Sequence, residues 1–208
     1  MRKAISAGAG RLSVSVAALL GLVAVLALGG CGRRSGAYEL TNISGIMAPL
    51  QFTLTDSRTG KQVHADHFKG RIVLLYFGYT HCPDVCPTTL ARLTHAVKSL
   101  GAKADQVRIL FVTVDPKRDS LAVLKRYAAG FGPQVVGLRG SQTALKALTK
   151  RYRATYGYGK PDADGNYTVS HSAAVYIFDR DGEARLLGKP TNNGGAYVHD
   201  LKMLVDEG

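Results

Sequence analysis

The chain has 208 residues, of which 46% are hydrophobic, a length suited to one domain with its own core. Its 27 Lys and Arg outnumber its 15 Asp and Glu, for a formal net charge of +12 at pH 7. These basic residues are scattered, which argues against a nucleic-acid partner and for a solvated surface beside anionic lipid or an acidic protein.

Arg2, Lys3 and Arg11 open the chain, and Ser13 to Gly30 then runs almost without polarity. A basic start, an apolar run and small residues ahead of a cut mark a secretory signal, here expected over 1–30. Leu28-Gly29-Gly30-Cys31 resembles a bacterial lipobox, which makes Cys31 the expected lipid-bearing residue. The alternatives are an uncleaved N-terminal anchor or an ordinary cleavage nearby. In every case the remainder is expected outside the cytoplasm, in the periplasm or beyond, where thiols meet oxidants; the anchored readings place it at a bacterial cell membrane.

Residues 31–48 include a short polar stretch with glycines and read as a tether, with the domain over 49–208. Gln51 to Thr55 alternates as a strand does, and Asp56 to Gly60 is a turn cluster. Ile72 to Phe77 is a continuous β-branched and aromatic run, expected as a strand buried on both faces. Leu90, Leu93, Val97 and Leu100 recur at helical spacing, with Gly101 as the stop. Val107 to Val114 is a second buried strand, ended by Asp115-Pro116. Asp119 or Ser120 is placed to cap a helix reaching about Ala129. Val135 to Leu138 is a short strand, and Ser141 caps a helix carrying Ala144, Leu145, Leu148 and Tyr152. Residues 154–169 break the rhythm, and Asp164-Gly165 predicts a hairpin there. Ala173 to Phe178 and Ala184 to Leu187 form a strand pair around Asp181-Gly182, and Asn193 opens a last helix. The order predicts an α/β fold, a central mixed sheet with helices on both faces.

Three cysteines are present: Cys31, Cys82 and Cys86. A domain of this size needs no disulfide to fold, and a bridge between residues four apart would close too small a loop to stabilise much. Cys82 and Cys86 are therefore expected to be chemical. They stand between a buried strand and a helix, where unpaired N–H groups and the helix dipole favour thiolate. Pro87 suits the first helical turn, and Asp84 between the thiols is placed to tune the thiolates or, the favoured reading, to cap the helix. The C-x-x-x-C spacing is one residue longer than in C-x-x-C redox proteins, so disulfide exchange remains open beside metal binding. Soft sulfur ligands select Cu(I) or Zn²⁺; zinc prefers four ligands, and only three good ones are in view. The third is His171, ahead of the strand that should lie beside the cysteine loop. His81 adjoins Cys82, and its side chain is expected to point away.

GYTHCPDVCPTTL, VTVDPKRDS and SHSAAVYIFDRDG together resemble the Sco/SenC family of copper-binding proteins. The resemblance covers about residues 45–208. It implies a thioredoxin-like fold with an inserted hairpin, and Cu(I) or Cu(II) held by Cys82, Cys86 and His171. It also implies copper delivery to, or reduction of, the copper-bearing subunit of cytochrome c oxidase or another copper protein. Asp115 is expected either to orient a ligand or meet the partner, or simply to form a turn. Tyr76, Phe77 and Tyr79 are expected in the core. The rivals are a thiol–disulfide oxidoreductase, which needs Cys82 and Cys86 but not His171, and a copper or redox sensor. Nothing resembles the Thr-x-x-Cys site of a thiol peroxidase.

Overall fold

The computed structural model describes residues 37–207, so the expected signal and Cys31 lie outside the described residues. In chain order these residues form β1 (Thr41–Asn42), β2 (Thr53–Asp56), β3 (Gln62–His64), β4 (Ile72–Gly78), α1 (Val85–Lys98), β5 (Val107–Thr113) and α2 (Leu121–Ala129). They continue through β6 (Val135–Arg139), α3 (Gln142–Arg151), β7 (Tyr156–Tyr158), β8 (Val169–His171), β9 (Val175–Phe178), β10 (Ala184–Gly188) and α4 (Gly194–Asp206). None of the described helices is long and apolar enough to cross a membrane.

The main sheet has the order β1-β10-β9-β4-β5-β6-β2-β3 among the described residues. β4, β5 and β6 run parallel, and the flanking pairs are antiparallel, so the sheet is mixed as expected. Parallel neighbours need a crossover, and α1 and α2 supply the two. Every residue of β4 is buried, which is why its sequence is apolar without alternation. Three of the helices start where a polar side chain caps them. Ser120 accepts from the Val123 amide, Ser141 from Ala144 and Asn193 from Ala196.

The N-terminal boundary differs from the expectation. From Tyr38 to Met47 the supposed tether packs on the domain, with Leu40 and Ile43 buried in its core. Thr41–Asn42 adds an edge strand to β10. The cause is distant in sequence. The carboxylate of Asp200, fully buried on α4, accepts the amides of Glu39 at 3.0 Å and Leu40 at 2.8 Å. β3 is a second difference: the turn cluster after β2 leads back into a short paired strand.

Candidate metal centre

The thiol pair sits where β4 hands over to α1, at the C-terminal edge of the parallel strands, the usual place for a site in an open α/β sheet. Gly78 ends β4, and a β-carbon there would stand 2.5 Å from the Phe111 ring and 3.0 Å from the Cys86 sulfur. Glycine is thus required for the thiol to lie against the strand. Cys86, on the first turn of α1, is fully buried, and Cys82 on the loop is half-buried.

Asp84 occupies the N-cap position of α1, yet its side chain accepts no amide of the helix. The Cys82 sulfur takes that place, accepting the Cys86 N–H at 3.4 Å. Burial raises the Cys82 pKa. The amides of Cys86 and Asp84, the Cys86 thiol and the Val85 amide outweigh it, and the net shift is down. Burial dominates at Cys86 and pushes its thiol up to about 12, against a hydrogen bond from the Tyr79 amide and reinforced by the charge of Cys82. The pair is therefore asymmetric: a half-buried sulfur whose pKa is drawn down, and a buried one that holds its proton.

His171 closes the site from the other side. It is the last residue of β8, paired with Tyr156 across the inserted hairpin, so the hairpin reaches two residues beyond 154–169 and carries the histidine itself. Its Nδ1–H donates to the Ser172 carbonyl at 3.1 Å, which fixes the tautomer and leaves Nε2 as the free donor atom, 3.3 Å from the Cys86 sulfur. Burial lowers its pKa, against the carbonyls of Ser172 and Phe77, so the ring is neutral at pH 7. Tyr76 and Tyr79 meet it edge-on, with centroids 6.1 and 5.9 Å away.

The ligand atoms of Cys82, Cys86 and His171 lie within 4.8 Å of one another, the one such group among the described residues. Three donors about 2.0–2.3 Å from one ion in a trigonal plane stand about 3.5–4 Å apart, so this donor set fits a three-coordinate soft metal ion after small adjustments. His81 is outside the group. Its Nδ1 lies near Thr80 and Asp119.

The loop after β5 ties both halves of the site down. Asp115 is fully buried, pairs with Arg118 and accepts the Tyr167 hydroxyl at 2.7 Å. Arg118 also donates to the Tyr167 carbonyl at 3.0 Å and stacks 3.8 Å over that ring. Asp115 thus anchors the hairpin that bears His171, through Tyr167, and belongs to no ligand cluster. Asp119, read from the sequence only as a possible helix cap, leaves that task to Ser120. Its buried carboxylate accepts the Thr80 amide at 3.0 Å and the hydroxyls of Thr80 and Thr113, each at 2.6 Å. Thr80 is two residues before Cys82, so Asp119 fixes the cysteine loop. Its place four residues after Asp115 in D-P-x-x-D was the available signal.

Residues 46–206 match the SCO1/SenC family profile. The chain belongs to the SCO1/SenC family. The bovine mitochondrial protein SCO2 homolog is 44% identical over 133 residues, 63% of this chain and 50% of that protein. A SCO2-like protein of Rickettsia felis is 38% identical over 133 residues, 64% of each chain. The matched stretch thus spans about half to two thirds of these relatives. Among solved structures, copper-bound ScoI of Bradyrhizobium japonicum is 37% identical with a TM-score of 0.68, over 75% of this chain and 98% of that one. Copper-bound yeast Sco1 is 30% identical with a TM-score of 0.69, over 78% and 90%. The fold is the thioredoxin-like one of these proteins, as the sequence motifs implied.

Proposed function

We propose that this protein is a copper metallochaperone. It binds copper through Cys82, Cys86 and His171 outside the cytoplasm and hands it to the copper-bearing subunit of cytochrome c oxidase during assembly, or to another copper protein. The observation that carries the proposal is the convergence of two sulfurs and one free imidazole nitrogen from three segments of a SCO1/SenC chain. Two thiolates and a neutral imidazole give a soft site suited to Cu(I) that also accepts Cu(II). Loading takes the proton from Cys86, while His171 needs no proton removed at pH 7. The domain is held at a bacterial cell membrane, with Cys31 as the lipid-bearing residue or the N-terminal segment as an anchor. The test is removal of the protein from its cell. Oxidase activity should fall and return with added copper. Loss of activity that copper does not restore would refute delivery.

The asymmetry of the thiols favours a second reading, reduction of a disulfide in a copper-receiving protein. The Cys82 thiolate attacks one sulfur of that disulfide, and the partner's other sulfur leaves and takes a proton. The Cys86 thiol then gives up its proton and attacks Cys82, releasing the partner's second thiol and leaving a Cys82–Cys86 disulfide. His171→Ala should leave this activity intact, whereas copper affinity should fall.

A further inference from the structure

Two phenol hydroxyls are buried behind the thiol pair, and neither makes a hydrogen bond to any described residue: those of Tyr76 and Tyr127. Leaving a buried hydroxyl unpartnered costs free energy that phenylalanine would avoid. Tyr76 is fully buried in the middle of the sheet, on β4. Its ring is held between Phe111 and His171, each with centroids 6.1 Å away. Its hydroxyl lies beside the Cys86 thiol and the Thr89 hydroxyl, one turn apart on α1, without aligning on either. One side chain thus borders two members of the ligand group, His171 with its ring and Cys86 with its hydroxyl.

A thiol is a weak acceptor and a thiolate a strong one. Cys86 becomes a thiolate when it ligates a metal. The unmet donor of Tyr76 therefore lies beside an atom that becomes a good acceptor only on loading. We infer that Tyr76 is a positioning residue of the copper site, whose hydroxyl donates to the metal-bound Cys86 sulfur and biases the site toward Cu(I). The inference rests on the copper reading above. The physical reason is electron density. A hydrogen bond to sulfur weakens its donation to the metal, and the more highly charged Cu(II) depends more on that donation.

Tyr127 supplies the matched control. It packs on Phe111 at 5.3 Å, close enough to the thiol pair that a thiolate there raises its pKa, but makes no hydrogen bond to either sulfur. The experiment compares wild type, Y76F and Y127F. It reads apo melting temperature, affinities for Cu(I) and Cu(II) by competition, and the sulfur-to-Cu(II) absorption band. Y76F removes an atom with no partner in the apo fold, so it should melt at or above wild type. Its Cu(I)-to-Cu(II) affinity ratio should fall about fivefold, and the band should move to lower energy. Y127F should leave ratio and band in place. An unchanged ratio and band in folded Y76F overturns the inference. So does an apo Y76F that melts well below wild type, which would make the hydroxyl structural. Wild type is measured first. If it binds no copper, the copper reading itself falls, a failure distinct from that of the Tyr76 bond.

Discussion

Asp119 is the residue on which the cysteine loop hangs, and its removal has a calculable cost. Its carboxylate is fully buried and accepts three hydrogen bonds, two of them from Thr80. Asp119→Ala strands the Thr80 amide and the Thr113 hydroxyl, each worth about 1–3 kcal/mol when left unpaired, and opens a small void. The expected loss is about 3–5 kcal/mol. Asp119→Asn keeps the shape and one acceptor oxygen, which can serve the Thr80 amide and the Thr113 hydroxyl, while the Thr80 hydroxyl turns to accept. Its expected loss is about 1–2 kcal/mol, mostly from the missing charge. Urea unfolding of the apo protein at pH 7 measures both, with the slope against urea unchanged. Because Thr80 lies two residues before Cys82, the alanine variant should also bind Cu(I) at least about tenfold more weakly. An alanine variant within about 0.5 kcal/mol of wild type, the range of an ordinary surface change, would refute the anchoring role.

Other expectations follow from the same geometry. Tyr167→Phe removes the 2.7 Å bond to Asp115 and should cost about 1–3 kcal/mol while speeding amide exchange over residues 156–171. Unchanged exchange would show that Arg118 alone holds the hairpin. Copper affinity should rise with pH, because binding requires Cys86 as thiolate and its folded pKa lies near 12. One proton released per copper makes binding about tenfold tighter per pH unit above the Cys82 pKa, and a second proton steepens the slope below it. His171, with its lowered pKa, adds nothing near neutrality. Competition titration from pH 6 to 9, corrected for the chelator, reads the slope, and a flat profile contradicts the assignment.

Much of this was legible because it is local. β4 is a continuous apolar run and β5 is one from Ile109 to Val112, the caps Ser120, Ser141 and Asn193 stand beside their helices, and the cysteine loop is bracketed by a strand and Pro87. What was missed depends on partners far away in the chain. Tyr38 to Met47 looks like a tether until Asp200, some 160 residues on, takes its amides. Asp119 looks like a cap because its real partner is Thr80, 39 residues earlier. Asp84 was expected to cap α1, and Cys82 does so, since a thiol shows no capping preference in sequence statistics. Tyr76 was rightly placed in the core, but burial says nothing of where its hydroxyl points. His171 was placed after the hairpin and proves to end it, because pairing with Tyr156 continues past the alternation visible in the sequence.

The central claim is a site of three ligands. Anaerobic Cu(I) titration of wild type beside C82S, C86S and His171→Ala tests it most directly. Wild type should bind about one equivalent, each serine variant should lose tight binding, and the alanine variant should bind at least about tenfold more weakly. A wild type that takes up no Cu(I), or an affinity unchanged without His171, would contradict it.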